Sequence, residues 1–246
     1  MSPTIEFVVF DMDGLLIDSE TILTQVANTI LAQYGKKMTW DIKAGCMGKP
    51  EYESTAHLLS CFPDVPLTVP EYLEQRNARQ NKLWPTVPLL PGVKKLVLHL
   101  RAHNIPMAVA TSSRRTTFEL KTGHLGEVFD CFDGKVVCGD DKQWSMRGKP
   151  EPDIFLAAAR ELLGCDVGPA DADAAPTQLA ERRKGLVFED SIPGMQAGKR
   201  AGMSVVWVPD ANLLDVEYSG EEKADQTLKS LEDFVPEQWG LPPYTQ

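Results

Sequence analysis

Short runs of apolar residues that end in polar residues or turns recur along this chain. The first covers residues 5–10, and its mostly apolar, β-prone residues predict a buried strand of a parallel sheet. Further strands are predicted over residues 106–110, 135–138, 185–188 and 204–208. Apolar residues at helical spacing lie between these runs, and they predict helices after Gly92, after Pro152 and over residues 193–201. Strands that alternate with helices in this way predict an α/β fold with a parallel sheet.

The segment between residues 16 and 88 has a different pattern. Helices are predicted over residues 19–34, near residues 50–61 and over residues 69–82. In the first of these, Ile22, Val26 and Ile30 keep the spacing of an amphipathic helix. Because no run here strongly predicts a strand, we expect a helical unit inserted after the first strand, where it can act as a lid that selects the substrate. Residues 165–184, rich in Ala, Asp and Pro, predict a mobile loop without chemistry.

Composition narrows the class of protein. An apolar content of 43% and a charged content of 24% are typical of soluble globular proteins. The net charge of −10 argues against nucleic acid or an anionic membrane as a partner, so an anionic substrate would need local positive charge. The five cysteines lack metal-binding spacing, which predicts reduced thiols. With neither a signal-peptide pattern nor a bilayer-spanning run, we expect a cytoplasmic protein, with a monomer as the default.

Two carboxylates one residue apart, Asp11 and Asp13, stand where the first predicted strand ends. Ligands of open α/β sheets bind outside the carboxyl ends of the strands. Like charges this close repel unless a positive charge lies beside them, and a divalent metal is the usual solution. Gly14 allows the chain to turn sharply after the pair. Taken alone, the motif is also compatible with an ordinary polar turn.

A hydroxyl cluster and a lysine stand at other element ends. Thr111, Ser112 and Ser113 follow the second predicted strand, where hydroxyls and backbone N–H groups bind a phosphate or cap a helix. Lys149 precedes Pro150, whose ring fixes the start of a helix and so aims the lysine. A solvated surface lysine is the alternative at this position.

A second acidic pair, Glu189 and Asp190, ends the strand predicted over residues 185–188. Capping of the next helix by Asp190 or Ser191 is the structural alternative. Taken together with the other strand ends, however, the pair completes one consistent site. Magnesium prefers hard oxygen ligands and keeps several waters, so two or three carboxylates suffice, and the sequence predicts a Mg²⁺ site.

These features resemble the haloacid dehalogenase-like phosphatase superfamily. Its four motifs are matched in order by Asp11-Met12-Asp13-Gly14, Thr111, Lys149 and Glu189-Asp190. The resemblance implies a Rossmann-like α/β core with helices on both faces of its sheet, formed by residues 1–15 and 89–246. It also implies an inserted all-helical cap of the first (C1) class over residues 16–88. Segments such as Gly148 to Phe155 are similar to the eukaryotic pseudouridine-5'-phosphatase group.

The resemblance also implies the roles of the motif residues. Asp11 would attack phosphorus and form an aspartyl-phosphate, Asp13 would act as general acid and then base, and Lys149 would offset charge between Asp11 and the phosphoryl group. The implied phosphate contacts are Thr111 and the Ser112 amide, with the Ser113 and Ser191 hydroxyls as helpers. The implied magnesium ligands are Asp11, Asp13 through its backbone carbonyl, Asp190 and, as an additional candidate, Glu189.

The function implied is a Mg²⁺-dependent phosphomonoesterase for a small sugar, nucleoside or polyol phosphate, pseudouridine 5'-phosphate among them. One alternative is a sugar phosphomutase of the β-phosphoglucomutase type, whose cap His and Arg correspond here to Leu23 and Glu51. A non-catalytic binding protein of the same fold is the other, which the intact motifs disfavour. Candidate substrate contacts outside the motifs are Glu20, Gly48, Lys49 and Arg114, for which solvated surface positions are the alternative.

Overall fold

The fold is described from a computed structural model, in which residues 4–46, 51–170, 174–213 and 218–244 are described. The candidate substrate contacts Gly48 and Lys49 lie outside these ranges. The chain divides into two compact units. The sheet unit comprises Met1–Ile17 and Pro88–Gln246, and the helical unit comprises Asp18–Val87. The predicted domain limits, one or two residues away, stay a prediction.

A six-stranded parallel sheet forms the centre of the sheet unit. Its strands are β1 Phe7–Phe10, β2 Met107–Thr111, β3 Val136–Cys138, β4 Gly185–Glu189, β5 Ser204–Trp207 and β6 Gln226–Thr227. The strands lie in the order β3-β2-β1-β4-β5-β6, and every neighbouring pair is parallel. The predicted α/β class with a parallel sheet is therefore confirmed. The two-residue β6 was missed, because its sequence has no apolar run.

The central strands are buried because their residues are apolar on both faces. All four residues of β1 are at most 1% exposed, as expected for a parallel strand covered by helices. Phe10 stacks on Phe188 of β4 with ring centroids 5.0 Å apart. This packing holds the carboxyl ends of β1 and β4 side by side. The two acidic pairs, Asp11 with Asp13 and Glu189 with Asp190, stand at these strand ends.

Helices connect the strands of the sheet unit. In chain order they are α5 Val93–Ala102, α6 Arg115–Thr122, α7 Gly126–Phe129, α8 Asp153–Ala157, α9 Pro176–Arg182 and α10 Ile192–Arg200. The helices expected after Gly92, after Pro152 and near residues 193–201 are present, and a π-helical turn, Ala158–Leu162, extends α8. The prediction of a loop over residues 165–184 was wrong at α9. There the Arg182 guanidinium is buried and donates to the carbonyls of Val167 and Pro169, at 2.6 and 2.9 Å.

The helical unit consists of α1 Ser19–Ala32, α2 Trp40–Cys46, α3 Glu51–Ser60 and α4 Val69–Leu83. Asp18 caps α1 by accepting from the Thr21 amide, and Thr68 forms a capping box with Glu71 at the start of α4. The described residues of this unit contain no strand. Helix α2 was not predicted, because it is short and has no buried residue to produce an apolar pattern.

Two further observations concern the cysteines and the lengths of the described helices. All five cysteines are free thiols. No helix in the described ranges combines the length and the apolar character that a membrane span requires.

Candidate active site

The carboxyl ends of β1, β2 and β4 bring the first set of predicted residues together. Asp11 directly follows β1, and its backbone N–H donates to the Phe188 carbonyl of β4 at 3.0 Å. Thr111 is the last residue of β2 and Glu189 the last of β4. All three side chains are buried. Neighbouring parallel strands therefore place a carboxylate, a hydroxyl and a second carboxylate at one edge of the sheet.

Lys149 links the two carboxylates. Its ammonium group donates to Asp11 Oδ1 and, at 2.6 Å, to Glu189 Oε1. It also lies 5.0 Å from the ring centroid of Phe155, and its side chain is only 8% exposed. A buried ammonium is tolerated only where carboxylates or other acceptors surround it. Lys149 is thus held at one point between Asp11 and Glu189, rather than solvated.

Burial and close charges shift the pKa values of this pair. Burial raises the pKa of Asp11 to about 7; the Lys149 charge opposes that rise and the Glu189 charge adds to it. For Lys149, burial lowers the pKa, but the charges of Asp11 and Glu189 outweigh it and hold the pKa above its usual value. Lys149 therefore stays protonated. Its single positive charge does not balance the negative charges of both Asp11 and Glu189.

Glu189 is held from both sides. While Oε1 accepts from Lys149, Oε2 accepts from the backbone N–H groups of Asp190 and Ser191, each at 2.9 Å, and from the Ser191 hydroxyl at 3.0 Å. Ser191 also caps α10 by accepting from the Gly194 amide at 3.1 Å. A Cβ at Gly194 would lie 1.7 Å from Glu189 Oε1, so the start of α10 depends on glycine to admit this carboxylate.

Asp13 belongs to a second set of contacts in the sheet unit. Its Oδ2 accepts from the Ser113 hydroxyl at 2.7 Å and from the Thr111 hydroxyl at a long 3.4 Å. Its Oδ1 accepts from the ammonium group of Lys121 at 2.6 Å, and the same ammonium donates to Ser113 Oγ at 3.1 Å. The hydroxyl cluster and Asp13, which are about 100 positions apart in the chain, thus form one network.

Lys121 was missed in the sequence. It lies on α6, and its side chain is 6% exposed. The available signal was its position on the helix, since Lys121 falls three residues after Phe118 and therefore on the same face. A lysine on the same helix face as an aromatic residue, shortly after a candidate phosphate-binding turn, is the signal that could have identified it.

Three carboxylates have the spacing of a metal site. One oxygen each from Asp11, Glu189 and Asp190 lie within 4.8 Å of one another. The Asp190 carbonyl accepts from the Trp207 indole at 2.8 Å, which fixes the backbone at this point. Gly14 has a φ of +79°, and a Cβ there would lie 2.2 Å from Asp190 Oδ2, so glycine is required for both conformation and space.

The charges of the site favour a divalent cation. Among the described residues, Lys121 pairs with Asp13, Lys149 pairs with Asp11 and Glu189, and the Asp190 carboxylate lies beside Asp11 and Glu189. The donor atoms are all hard oxygens, which a Mg²⁺ ion prefers.

The other predicted contacts lie apart from this network or outside the described residues. Ser112 and Arg114 are exposed at the turn between β2 and α6. Glu20, in the helical unit, forms an ion pair with Lys43 at 2.9 Å.

The helical unit has a cavity of its own, of about 270 Å³, lined by residues of all four helices. Glu20 and Lys43 line it as one ion pair, and Glu51 and Arg76 line it as a second. Gln80, which is 5% exposed, also lines the cavity, and its Nε2 has no hydrogen-bond partner. Among the described residues, the lining is therefore balanced in charge and carries one buried donor that a ligand could satisfy.

A family model described as haloacid dehalogenase-like hydrolase matches residues 5–202 of the chain. A crystal structure of a HAD family hydrolase from Deinococcus radiodurans, titled as containing bound phosphate and sodium, superposes with a TM-score of 0.75 at 24% identity. The match covers 99% of this chain and 100% of that one. At this identity the likeness concerns the fold.

Two curated relatives are more similar in sequence. (DL)-glycerol-3-phosphatase 2 of Arabidopsis thaliana is 41% identical over 98% of this chain and 93% of its own length. A probable pseudouridine-5'-phosphatase of Drosophila melanogaster is 40% identical over 96% of this chain and 94% of its own length. The predicted resemblance to the pseudouridine-5'-phosphatase group is confirmed, and a glycerol-3-phosphatase is similar to the same degree.

Proposed function

This chain belongs to the haloacid dehalogenase-like hydrolases, and we propose that it is a Mg²⁺-dependent phosphomonoesterase acting on a small phosphorylated metabolite through an aspartyl-phosphate. The observation that carries the proposal is the set of contacts of Lys149. This ammonium holds Asp11 beside Glu189 at adjoining strand ends, next to Asp190. A fixed carboxylate beside a cation and a group of hard oxygen ligands is suited to phosphoryl transfer, in which positioning and charge stabilisation dominate.

In the first half-reaction, a carboxylate oxygen of Asp11 attacks the phosphorus in line with the ester oxygen. A bond forms between this oxygen and phosphorus while the bond from phosphorus to the ester oxygen breaks. The electron pair of the broken bond goes to the leaving oxygen, which takes a proton from the Asp13 carboxyl group. The alcohol leaves, and Asp11 carries the phosphoryl group.

In the second half-reaction, the Asp13 carboxylate takes a proton from a water molecule whose oxygen attacks the same phosphorus. The bond between phosphorus and the Asp11 oxygen breaks, inorganic phosphate is released, and Asp11 is again a carboxylate. Thr111 and the Ser112 amide bind the phosphoryl oxygens, with the Ser113 and Ser191 hydroxyls as helpers. Lys149 offsets the charge that Asp11 and the phosphoryl group bring together.

The residues fit a Mg²⁺ ion, because hard oxygen donors of Asp11, Glu189 and Asp190 lie within 4.8 Å of one another. We propose that Asp11, Asp190 and the Asp13 backbone carbonyl hold it. Both oxygens of Glu189 already accept hydrogen bonds, so its main role is to position Lys149 and its role as a ligand is secondary. When bound, the ion would neutralise phosphoryl oxygens and orient them toward Asp11.

For the substrate, we propose a phosphate ester whose alcohol part is neutral and rich in hydroxyl groups, such as a polyol or a ribosyl compound. The support comes from the cavity of the helical unit, which is balanced in charge and offers the Gln80 amide donor. The two relatives named for glycerol 3-phosphate and pseudouridine 5'-phosphate have substrates of this kind. Glu20, Gly48, Lys49 and Arg114 stay candidate contacts.

The cavity also bears on the phosphomutase alternative. A mutase of the β-phosphoglucomutase type holds a bisphosphate and needs cationic contacts to the second phosphate. Leu23 and Glu51, which correspond to the cap His and Arg of such mutases, line the cavity. The guanidinium of Arg76 is already paired with Glu51. A cation that a carboxylate neutralises is a weak anion site, which favours hydrolysis over mutase chemistry.

The experiment is phosphate release from a panel of phosphomonoesters, with Mg²⁺ and with chelator. The panel contains pseudouridine 5'-phosphate, uridine monophosphate, glycerol 3-phosphate, deoxyglucose 6-phosphate and β-glucose 1-phosphate. Magnesium-dependent release that is strongest for pseudouridine 5'-phosphate or glycerol 3-phosphate supports the proposal. Conversion of β-glucose 1-phosphate to its 6-phosphate without release would favour the mutase, and inactivity on every compound would overturn the proposal.

A further inference from the structure

The buried ammonium of Lys121 lies outside the four motifs, yet it contacts the residue to which we give both proton transfers. We propose that Lys121 is a positioning residue for catalysis, which holds the Asp13 carboxylate in the orientation required for exchange of a proton with the leaving oxygen and with water. This inference rests on the proposed phosphomonoesterase function.

The contacts of Asp13 carry the argument. Lys121 Nζ engages one carboxylate oxygen at 2.6 Å, and the Ser113 hydroxyl engages the other at 2.7 Å. Because the same ammonium also donates to Ser113 Oγ at 3.1 Å, the three groups form a closed triangle. A carboxylate held by both oxygens cannot rotate freely about its side-chain bonds. Such fixed orientation is what proton transfer in a transition state requires.

The burial of Lys121 is difficult to explain as helix stabilisation alone. The residue lies in the last turn of α6. A lysine at such a position can interact favourably with the helix carbonyls while its ammonium group stays exposed to solvent. Its side chain is instead 6% exposed, whereas that of Asp13 is 27% exposed. Burial of an ammonium carries a desolvation penalty that its partners must offset. Asp13 and Ser113, which both accept from this ammonium, belong to the candidate site.

Lys121 is also distinct from Lys149 in what it contacts. Lys149 pairs with the nucleophile Asp11 and with Glu189, whereas Lys121 pairs with the proton-transfer residue. Each lysine thus forms an ion pair with one of the two carboxylates of the first motif. Loss of Lys121 should therefore affect the step that needs a proton, while phosphate binding should change little.

The test uses the leaving group to separate these roles. Departure of an alkyl oxygen needs a proton, whereas departure of p-nitrophenolate does not, and kcat/KM reports the steps up to phosphoryl transfer. For Lys121→Met we expect kcat/KM for glycerol 3-phosphate to fall about 10–100-fold, as it does when other residues that orient a reacting group are lost. For p-nitrophenyl phosphate we expect kcat/KM to fall at most about 3-fold. Lys121→Arg, which keeps the charge, should recover part of the loss. Inhibition by inorganic phosphate should change little.

A double-mutant cycle completes the test. In an Asp13→Asn background, Lys121→Met should cause no further loss, because its target has gone. Lys199→Met is the matched control, since Lys199 is also in the last turn of a helix and pairs with a carboxylate, Asp225; full activity is expected. Thermal melting verifies that each variant is folded at the assay temperature, and Lys121→Gln replaces Lys121→Met should the latter not fold.

The outcomes separate the two proposals. If the wild-type chain hydrolyses neither p-nitrophenyl phosphate nor any compound of the panel, the proposed function fails and this inference fails with it; if the chain prefers pseudouridine 5'-phosphate, that compound replaces glycerol 3-phosphate in the test. If the wild type is active, but Lys121→Met loses the same factor with both substrates or loses further activity in the Asp13→Asn background, Lys121 is structural or binds phosphate, and only the positioning role is overturned.

Discussion

The candidate site of the sheet unit and the cavity of the helical unit are both built from acids, bases and neutral polar groups, but their charges are arranged differently. In the sheet unit, the described site brings four carboxylates together with the ammonium groups of two lysines, Lys121 and Lys149. In the cavity of the helical unit, Lys43 pairs with Glu20 and Arg76 pairs with Glu51, and among the described lining residues the buried amide nitrogen of Gln80 has no hydrogen-bond partner. The first arrangement offers a cluster of hard oxygen donors suited to a divalent cation, and the second offers a neutral donor suited to a polar group.

Under the proposed function, this difference assigns phosphoryl transfer to the sheet unit and recognition of the alcohol part to the helical unit. A phosphoryl group is the same in every phosphomonoester, so the residues that act on it can be invariant in role. The alcohol part differs between substrates and is read by hydrogen bonds in a site of fixed shape.

The substitution Asp11→Asn is the strongest test of the catalytic role proposed for the sheet unit. An amide cannot act as the nucleophile, so we expect kcat to fall by about 10⁴–10⁶-fold, as in other enzymes that lose a nucleophile. Folding should persist, since an amide can still accept from Lys149. The measurement is phosphate release with Mg²⁺ in the substrate panel. Retention of even a tenth of the activity would remove Asp11 from the chemistry.

Asp13→Asn should have the next largest effect. Loss of the general acid and base should lower turnover by about 10²–10⁴-fold, while the affinity for inorganic phosphate as an inhibitor should stay near the wild-type value. Steady-state kinetics with glycerol 3-phosphate and phosphate inhibition measure the two quantities. An unchanged turnover would withdraw the role given to Asp13.

A smaller loss is expected for Glu189→Gln, which tests how Lys149 is held. A glutamine has one carbonyl oxygen and cannot accept both from Lys149 and from the donors now on Oε2. We expect kcat/KM to fall about 10–100-fold, the usual effect of losing a group that orients a reacting one. Glu181→Gln, which loses a surface pair with Lys184, is the control and should be neutral. Equal effects of the two changes would show that Lys149 does not depend on Glu189.

The smallest effect is expected for Gln80→Leu. This substitution tests whether the cavity of the helical unit contributes to substrate binding. Loss of one hydrogen bond of about 0.5–1.5 kcal/mol should raise the KM of the preferred substrate about 2–10-fold, with a smaller change for p-nitrophenyl phosphate. Gln75→Leu, on the same helix but outside the cavity lining, is the matched control. A fall in kcat for all substrates alike would indicate a structural role for Gln80 instead.

The sequence predicted the sheet well, because buried parallel strands are continuous apolar runs and their polar ends mark the site. Asp11, Thr111 and Glu189 were found for this reason. The contacts of Lys121 could not be predicted, because they depend on how α6 packs beside residues about 100 positions away. Helix α9 was missed because its segment is rich in residues typical of loops. The pairing of Arg76 with Glu51 was not foreseen, because it joins two helices whose packing no local pattern specifies.

The central claim is that Asp11 becomes covalently phosphorylated, and acid quenching during turnover tests it most directly. Wild-type protein is mixed with Mg²⁺ and the preferred substrate, quenched in acid within milliseconds, digested and examined by mass spectrometry. We predict a phosphoryl group on the peptide that contains Asp11, absent without Mg²⁺ and absent in Asp11→Asn. Phosphate release at the wild-type rate with the phosphoryl group on a different residue, or undiminished release by Asp11→Asn, would contradict the account.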